Sequence, residues 1–303
     1  MNRCYLRVLC LLILILPSAY CQAEVFPMGG DRPTFLQTPK DYPAQGTYPL
    51  VLFLHGFTGS SAAYERYLHV RDELSALGFL SIVPDGSKNS KGQQFWNATP
   101  ECCDFENSGI DDLGYLLGLI REAQARFAID PQRIYVMGHS NGGFMAYRLA
   151  CEAQGLVSGI ISIAGANFKD TNLCNFPVPL NILQIHGDAD DTVPYGDGQS
   201  FPAPRASLQF WQKLYSCHDE VSAPLAIKLM QSPNTTDTQA DTDTFEFTSC
   251  QDKHALGFWI LRGGPHTPAF IARTLFSESL QFIEKRASHR ESTLDKRGKT
   301  VMP

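Results

Sequence analysis

The chain has no long basic run, no CxxC pair, no HExxH motif, no internal repeat and no low-complexity tract. Each absence removes a class of function. Without a basic run, and with a formal net charge of -6 and a sequence pI near 5.7, a nucleic acid or an anionic membrane is a poor partner. Without CxxC or HExxH spacing, no zinc-type site and no other metal or cofactor is expected. Without a repeat, solenoid and propeller architectures fall away. No apolar run approaches the ~20 residues a membrane-spanning helix requires. What remains is a chain of 303 residues with 44% hydrophobic content, enough to bury a full core, and a small neutral or apolar substrate suits its charge.

The N-terminus reads as a secretory signal. Arg3 and Arg7 supply positive charge, Val8 to Leu16 form a short apolar core, and Pro17 breaks it before small residues. Cleavage is expected after Ala23, which gives a signal peptide over 1–23 and a secreted or periplasmic protein without a transmembrane segment in its mature chain. A lipid anchor on Cys21 is the alternative, disfavoured by bulky Tyr20 where such signals carry a small residue. Of nine cysteines, three lie in that segment. The six left are Cys102, Cys103, Cys151, Cys174, Cys217 and Cys250, an even number that in an exported chain reads as three disulfides. Cys102 and Cys103 are expected to bond to different partners, because a bridge between sequence neighbours strains the peptide joining them. A bridge between Cys217 and Cys250 would close a loop of about 33 residues and stabilise the fold by roughly 3 to 4 kcal/mol in the chain-entropy model.

Continuous apolar runs at 50–56, 79–84, 133–138, 159–165, 180–187 and 256–261 have the character of parallel strands covered on both faces. Helical spacing occupies 64–77, 109–127, 141–151, 205–215 and 268–285. The alternation predicts an α/β fold with a mostly parallel, twisted sheet and helices on both faces, in one domain over 24–286. Two stretches depart from the pattern. Residues 87–108 read as a polar loop after a strand, where open α/β sheets place their ligands. Residues 218–243, rich in Thr, Asp and Pro, read largely as a surface excursion. The charged tail 287–303 lacks apolar spacing and reads as disordered.

Gly138-His139-Ser140-Asn141-Gly142 follows one of these strands and opens a helix. That is the form of a nucleophile elbow, in which flanking glycines let neighbouring elements pass closely and the serine stands above the sheet. Its hydroxyl would lie by the unpaired N–H groups of the helix N-terminus, which favour developing negative charge. GxSxG also arises by chance as an ordinary turn, so its weight comes from the strand before it and the helix after it.

A serine hydroxyl needs an adjacent base, and the base needs an orienting carboxylate. After such an elbow the order is serine, acid, histidine. The strand 180–185 runs into His186-Gly187-Asp188-Ala189-Asp190-Asp191, from which Asp190 is the expected acid, with Asp188 and Asp191 as neighbours able to take its place. At least two of the three are expected only to shape the turn. His266, in a loop after the late strand 256–261, is the expected base; His254 precedes that strand, at its opposite end. An oxyanion hole needs two N–H donors. Asn141 would supply one and Phe57, after the strand 50–54, the other, with Thr58 nearby as a candidate substrate contact and His55 as scaffolding. Trp96 would line the substrate pocket or pack in the interior.

These residues resemble the secreted esterase family that includes polyhydroxybutyrate depolymerases of the LpqC type and feruloyl esterases. The features that carry the likeness are LHGFTGS (54–60), FWNATPECC (95–103), Ile110-Asp111-Asp112-Leu113, RIYVMGHSNGGFMAYRLACE (133–152), IHGDADDTVPY (185–195), the Cys217 and Cys250 pair, and GGPHTP (263–268). The resemblance implies an α/β-hydrolase fold and a metal-free Ser-Asp-His triad, for which Ser140, Asp190 and His266 occupy the matching positions. It also implies cleavage of carboxylic esters, of polyhydroxybutyrate type or of feruloyl or acetyl groups on plant polysaccharide. Pro265 stands where such enzymes usually have glycine. An exported peptidase of the same fold and a catalytically silent polymer-binding module are the alternatives.

Overall fold

The computed structural model describes residues 22–43, 46–175, 177–196, 200–232, 238–248, 250 and 254–295. The expected signal segment lies outside them apart from its last two positions. In chain order the elements are β1 (Val25–Met28), β2 (Thr34–Gln37), β3 (Tyr48–Leu54), α1 (Ser61–Leu68), α2 (Val70–Ala76), β4 (Leu80–Ile82), β5 (Ser87–Lys88) and β6 (Gln94–Phe95). There follow α3 (Asp112–Arg126), β7 (Ile129–His139), α4 (Asn141–Glu152), β8 (Gly159–Ile163), β9 (Asn181–Gly187), α5 (Pro204–Leu214), β10 (Asp219–Ile227), β11 (Thr242–Thr248), β12 (Leu256–Leu261) and α6 (Ala272–Asp295).

Ten strands form one sheet in the order β1-β2-β4-β3-β7-β8-β9-β12-β11-β10. The central six, β4 to β12, run parallel, and an antiparallel pair closes each side. Each apolar strand splits its side chains between two cores by the two-residue period of a strand. On one face Leu50, Leu52, Val136 and Ile160 pack with Leu116, Phe144, Leu208 and Trp211 of α3, α4 and α5. On the other, Val51, Phe53, Met137 and Ile161 pack with Leu68, Leu74, Leu275 and Phe276 of α1, α2 and α6. Strands buried on both sides are apolar at most positions, with a few buried polar side chains such as Ser162, Gln184 and His186 among them, which is why their sequences show runs rather than alternation.

Several expectations change. The helical pattern 64–77 is two helices, because His69 adopts a left-handed conformation (φ 48°) that ends α1 and begins α2. Part of 218–243 is not surface excursion: 219–227 and 242–243 are strand, β10 pairing with β11 and β11 with β12 to widen the sheet by a hairpin, while 233–237 lie outside the described residues. Thr242, Thr244, Phe245 and Phe247 have the β-branched and aromatic character that suits a strand, and the aspartates among them obscured it. The last helix continues to Asp295, past the point where the tail was expected to begin; 296–303 lie outside the described residues. No helix among the described residues is long and apolar enough to cross a membrane.

Three disulfides join the six cysteines. Cys217–Cys250 and Cys151–Cys174 span 33 and 23 positions. The third overturns the expectation for the adjacent pair, since Cys102 and Cys103 bond to each other. That expectation rested on the strain such a bridge puts on the joining peptide. The bond between them is cis, with Cα atoms 3.1 Å apart, and a cis link turns both side chains to one side.

Candidate active site

The carboxyl ends of β7, β9 and β12 lie level with one another. His139 pairs with Ile163, Ile163 with Ile185, and Gly187 with Leu261, so loops leaving these strands emerge at one rim. Ser140 follows β7 and caps α4 with φ 54° and ψ -123°. This backbone is unfavourable for a residue with a Cβ and is held by a bond from its N–H to the Ile163 carbonyl, 2.8 Å. The glycines around it are required by contact. A Cβ on Gly142 would collide with the Leu54 carbonyl oxygen, and one on Gly138 with that of Gly142.

His266, 126 positions further on, places Nε2 2.9 Å from Ser140 Oγ. Its Nδ1 lies 2.8 and 3.1 Å from the two oxygens of Asp190. A carboxylate only accepts, so Nδ1 carries the proton and Nε2 is the acceptor facing the serine hydroxyl. Asp190 also accepts from the Thr192 and Val193 amides, at 3.0 and 2.9 Å, and lies 3.3 Å from His186 Nε2. Burial alone would raise this carboxyl. The hydrogen bonds from His186 and His266, with the backbone donor of Val193, outweigh it and hold the group far below the usual carboxylate range. Of the neighbouring aspartates, Asp188 accepts from the Gly263 amide at 2.6 Å, and exposed Asp191 meets Thr192. Neither contacts His266 among the described residues. Gly263 and Gly264 fasten the histidine loop to the aspartate loop, since the Ala189 amide donates to the Gly264 carbonyl at 3.2 Å.

Neither the Phe57 nor the Asn141 backbone N–H meets an acceptor among the described residues. The next amide, that of exposed Thr58, donates to the Gln94 carbonyl at 2.8 Å, which leaves Phe57 as the available donor of this turn. His55 accepts from the Gly86 amide at Nε2, 2.8 Å, so its Nδ1 donates to the Gly56 carbonyl, 2.7 Å; burial lowers its pKa. That is the scaffolding expected of it.

Trp96 takes the interior place of the two expected for it. It is fully buried, its ring N–H donates to the His55 carbonyl at 3.0 Å, and the Asn141 side chain grips its backbone on both sides, at 2.7 and 2.9 Å. The same Asn141 amide lies 3.5 Å from Cys102 Sγ. Asp112, wholly buried, accepts from Asn97 N, Ser87 Oγ and Arg32, and so anchors the loop from below. An open cavity of about 390 Å³ lies on the Phe57 side, with Phe57, Phe95, Cys103 and Phe105 as apolar lining and Asn89, Lys91 and Glu106 among its polar residues. Three further side chains were not singled out from sequence. His186 donates to the Val193 carbonyl and reaches Asp190, while Tyr64 and His139 are buried beside Ser140 and His266. The available signal was position: His139 and His186 end or nearly end the strands that carry the serine and the aspartate.

A serine, an imidazole and an ionised carboxylate in series, with two free N–H groups at hand, can activate a hydroxyl and stabilise an oxyanion. The Phospholipase/Carboxylesterase family model matches residues 41–219. Feruloyl esterase B of Piromyces equi is 25% identical over 201 residues, which cover 62% of this chain and 36% of that protein. Poly(3-hydroxyalkanoate) depolymerase C of Paucimonas lemoignei is 30% identical over 164 residues, 50% of this chain and 36% of that protein. The chain spans less than half the length of the first curated relatives it matches. The solved acetyl xylan esterase from Aspergillus awamori superposes with a TM-score of 0.59 over 86% of this chain and 98% of that one, at 13% identity, which shows a common fold.

Proposed function

The chain belongs to the Phospholipase/Carboxylesterase family, and from that premise we propose that it is an exported serine esterase acting on carboxylic esters. The observation that carries the reading is the unbroken hydrogen-bond chain from Ser140 Oγ through His266 to Asp190. Ser140 Oγ attacks the ester carbonyl carbon as His266 Nε2 takes its proton. The carbonyl oxygen, now negative, is held by the Phe57 and Asn141 amides. The intermediate collapses, the C–O bond to the alcohol breaks, and His266 returns the proton to the departing alkoxide. Water then attacks the acyl-serine, giving a proton to His266; the bond from the acyl carbon to Ser140 Oγ breaks, His266 returns the proton to Oγ, and the acid leaves. Asp190 holds the imidazole in the required tautomer and stabilises its charged form.

The cavity beside Phe57 would seat one side of the ester; its aromatic lining suits apolar acyl or alcohol groups of the feruloyl, acetyl or hydroxybutyrate kind. Three disulfides suit an oxidising compartment. The test is a hydrolysis panel of hydroxybutyrate oligomers, acetylated xylan fragments, methyl ferulate and matched amides, run on wild type and Ser140→Ala. Wild type should cleave at least one ester class and label with a fluorophosphonate. Ser140→Ala should lose labelling and on the order of 10⁴- to 10⁶-fold in turnover. Preferential cleavage of amides would identify a peptidase instead, and unlabelled, inactive wild type would end the enzymatic reading.

A further inference from the structure

Behind the serine and the imidazole lies a buried polar chain. The Gly56 N–H is 3.1 Å from the Tyr64 hydroxyl, that hydroxyl is 2.6 Å from His139 Nδ1, and His139 Nε2 is 2.8 Å from the His266 carbonyl oxygen. Each proton is assigned by its neighbours. The His266 carbonyl can only accept, so Nε2 carries the hydrogen. The neutral ring then offers a lone pair at Nδ1, Tyr64 donates to it, and the Tyr64 oxygen receives the Gly56 N–H. Both residues are buried. Burial and adjacent His266 push His139 down to about 4, which keeps this single arrangement over the neutral range, and burial pushes the Tyr64 hydroxyl up to about 12.

The ends of the chain matter. Gly56 immediately precedes Phe57, the proposed oxyanion donor; His139 immediately precedes Ser140; and the last acceptor is the backbone of His266 itself. One run of hydrogen bonds therefore joins the oxyanion turn, the elbow and the base loop, three segments distant in sequence. Helix α1, which carries Tyr64, makes a second attachment, from the Tyr67 hydroxyl to the Pro268 carbonyl. The His139 and His266 rings lie 5.1 Å apart, without a ring-to-ring hydrogen bond, so the His139 ring acts on the base through its backbone.

Resting on the esterase reading above, we infer that Tyr64 and His139 are positioning residues that set the oxyanion donor and the His266 imidazole in register about Ser140. The proton-bearing atoms of the reaction remain those of Ser140 and His266. Loss of the chain should therefore reduce kcat and leave KM nearly unchanged, since no member of it lies in the substrate cavity.

The test is a cycle of Tyr64→Phe, His139→Leu and the double variant, with Ser140→Ala alongside, measured well below each variant's melting temperature. Tyr64→Phe should lower kcat about tenfold with KM within about twofold, and the double variant should be no slower than His139→Leu, as expected for members of one unit. His139→Gln, which keeps a donor toward the His266 carbonyl, should recover part of what His139→Leu loses. Wild-type kcat in a folded Tyr64→Phe protein, or strictly additive losses in the cycle, would overturn the inference; if His139→Leu fails to fold, the first comparison decides alone. Turnover surviving in Ser140→Ala would refute the esterase reading instead, so the two failures are distinguishable.

Discussion

Asp190 shares a stretch of four residues with two other aspartates, and what separates them is their contacts. Only Asp190 gathers His186, His266 and two backbone amides around one carboxylate. Asp190→Asn should therefore lower kcat by on the order of 10⁴-fold by favouring the wrong tautomer of His266, whereas Asp191→Asn, at an exposed turn, should stay within about twofold of wild type. Steady-state kinetics on the two variants checks both, and equal losses would dissolve the assignment. At this scale the sequence was informative where residue order and chemistry coincide, as for Ser140 and His266. It was mute where a role depends on who lies opposite. Nothing local distinguishes Trp96 as a buried strut from Trp96 as a pocket wall, and Tyr64 gains its meaning only from a histidine 75 positions away.

The elbow is an element-scale device. Strand β7 and helix α4 meet at an angle so tight that Gly142 lies against the Leu54 carbonyl of the neighbouring strand. Gly142→Ala should force β3 and α4 apart, costing about 1 to 3 kcal/mol as an overpacked contact, and should lower the melting temperature and activity together. A variant that melts and turns over like wild type would show that the contact has slack. Parallel strands were legible because a strand covered on both faces is apolar at most positions and shows no alternation. The β10–β11 hairpin was hidden because acidic residues interrupt the Thr, Val and Phe of its strands and make them resemble loop sequence. The Cys102–Cys103 bridge was hidden for another reason: peptide geometry, which residue identity does not reveal, decides whether neighbours can bond.

For the whole molecule the buried ionisable groups predict how stability changes with acidity. His139 has its folded value lowered from 6.5 to about 4, so between these limits the unfolded chain binds the extra proton. Its neutral burial is fully tolerated above the upper value, and stability is lost as pH falls toward the lower one. His55, also lowered by burial, acts in the same direction. Asp190 is depressed, and its contribution disappears only in the more acidic range below its ordinary value of 3.8. Denaturant unfolding should thus show about 2 to 3 kcal/mol lost through His139 between about pH 7 and about pH 4.5, and a folded His139→Leu protein should lose correspondingly less. An unchanged pH slope in that variant would contradict the assignment.

The hairpin also has a consequence for the lineage of such chains. It follows β9, which leads to Asp190, and precedes β12, which leads to His266, in the chain, yet in the sheet it lies beyond both, outside β12. Its connection is tied to the chain just past His266, the Gln231 amide donating to the Ala269 carbonyl and the Ile271 amide to the Leu229 carbonyl, each at 2.7 Å, so insertions or deletions beside residues 229–231 would be felt at the proposed base.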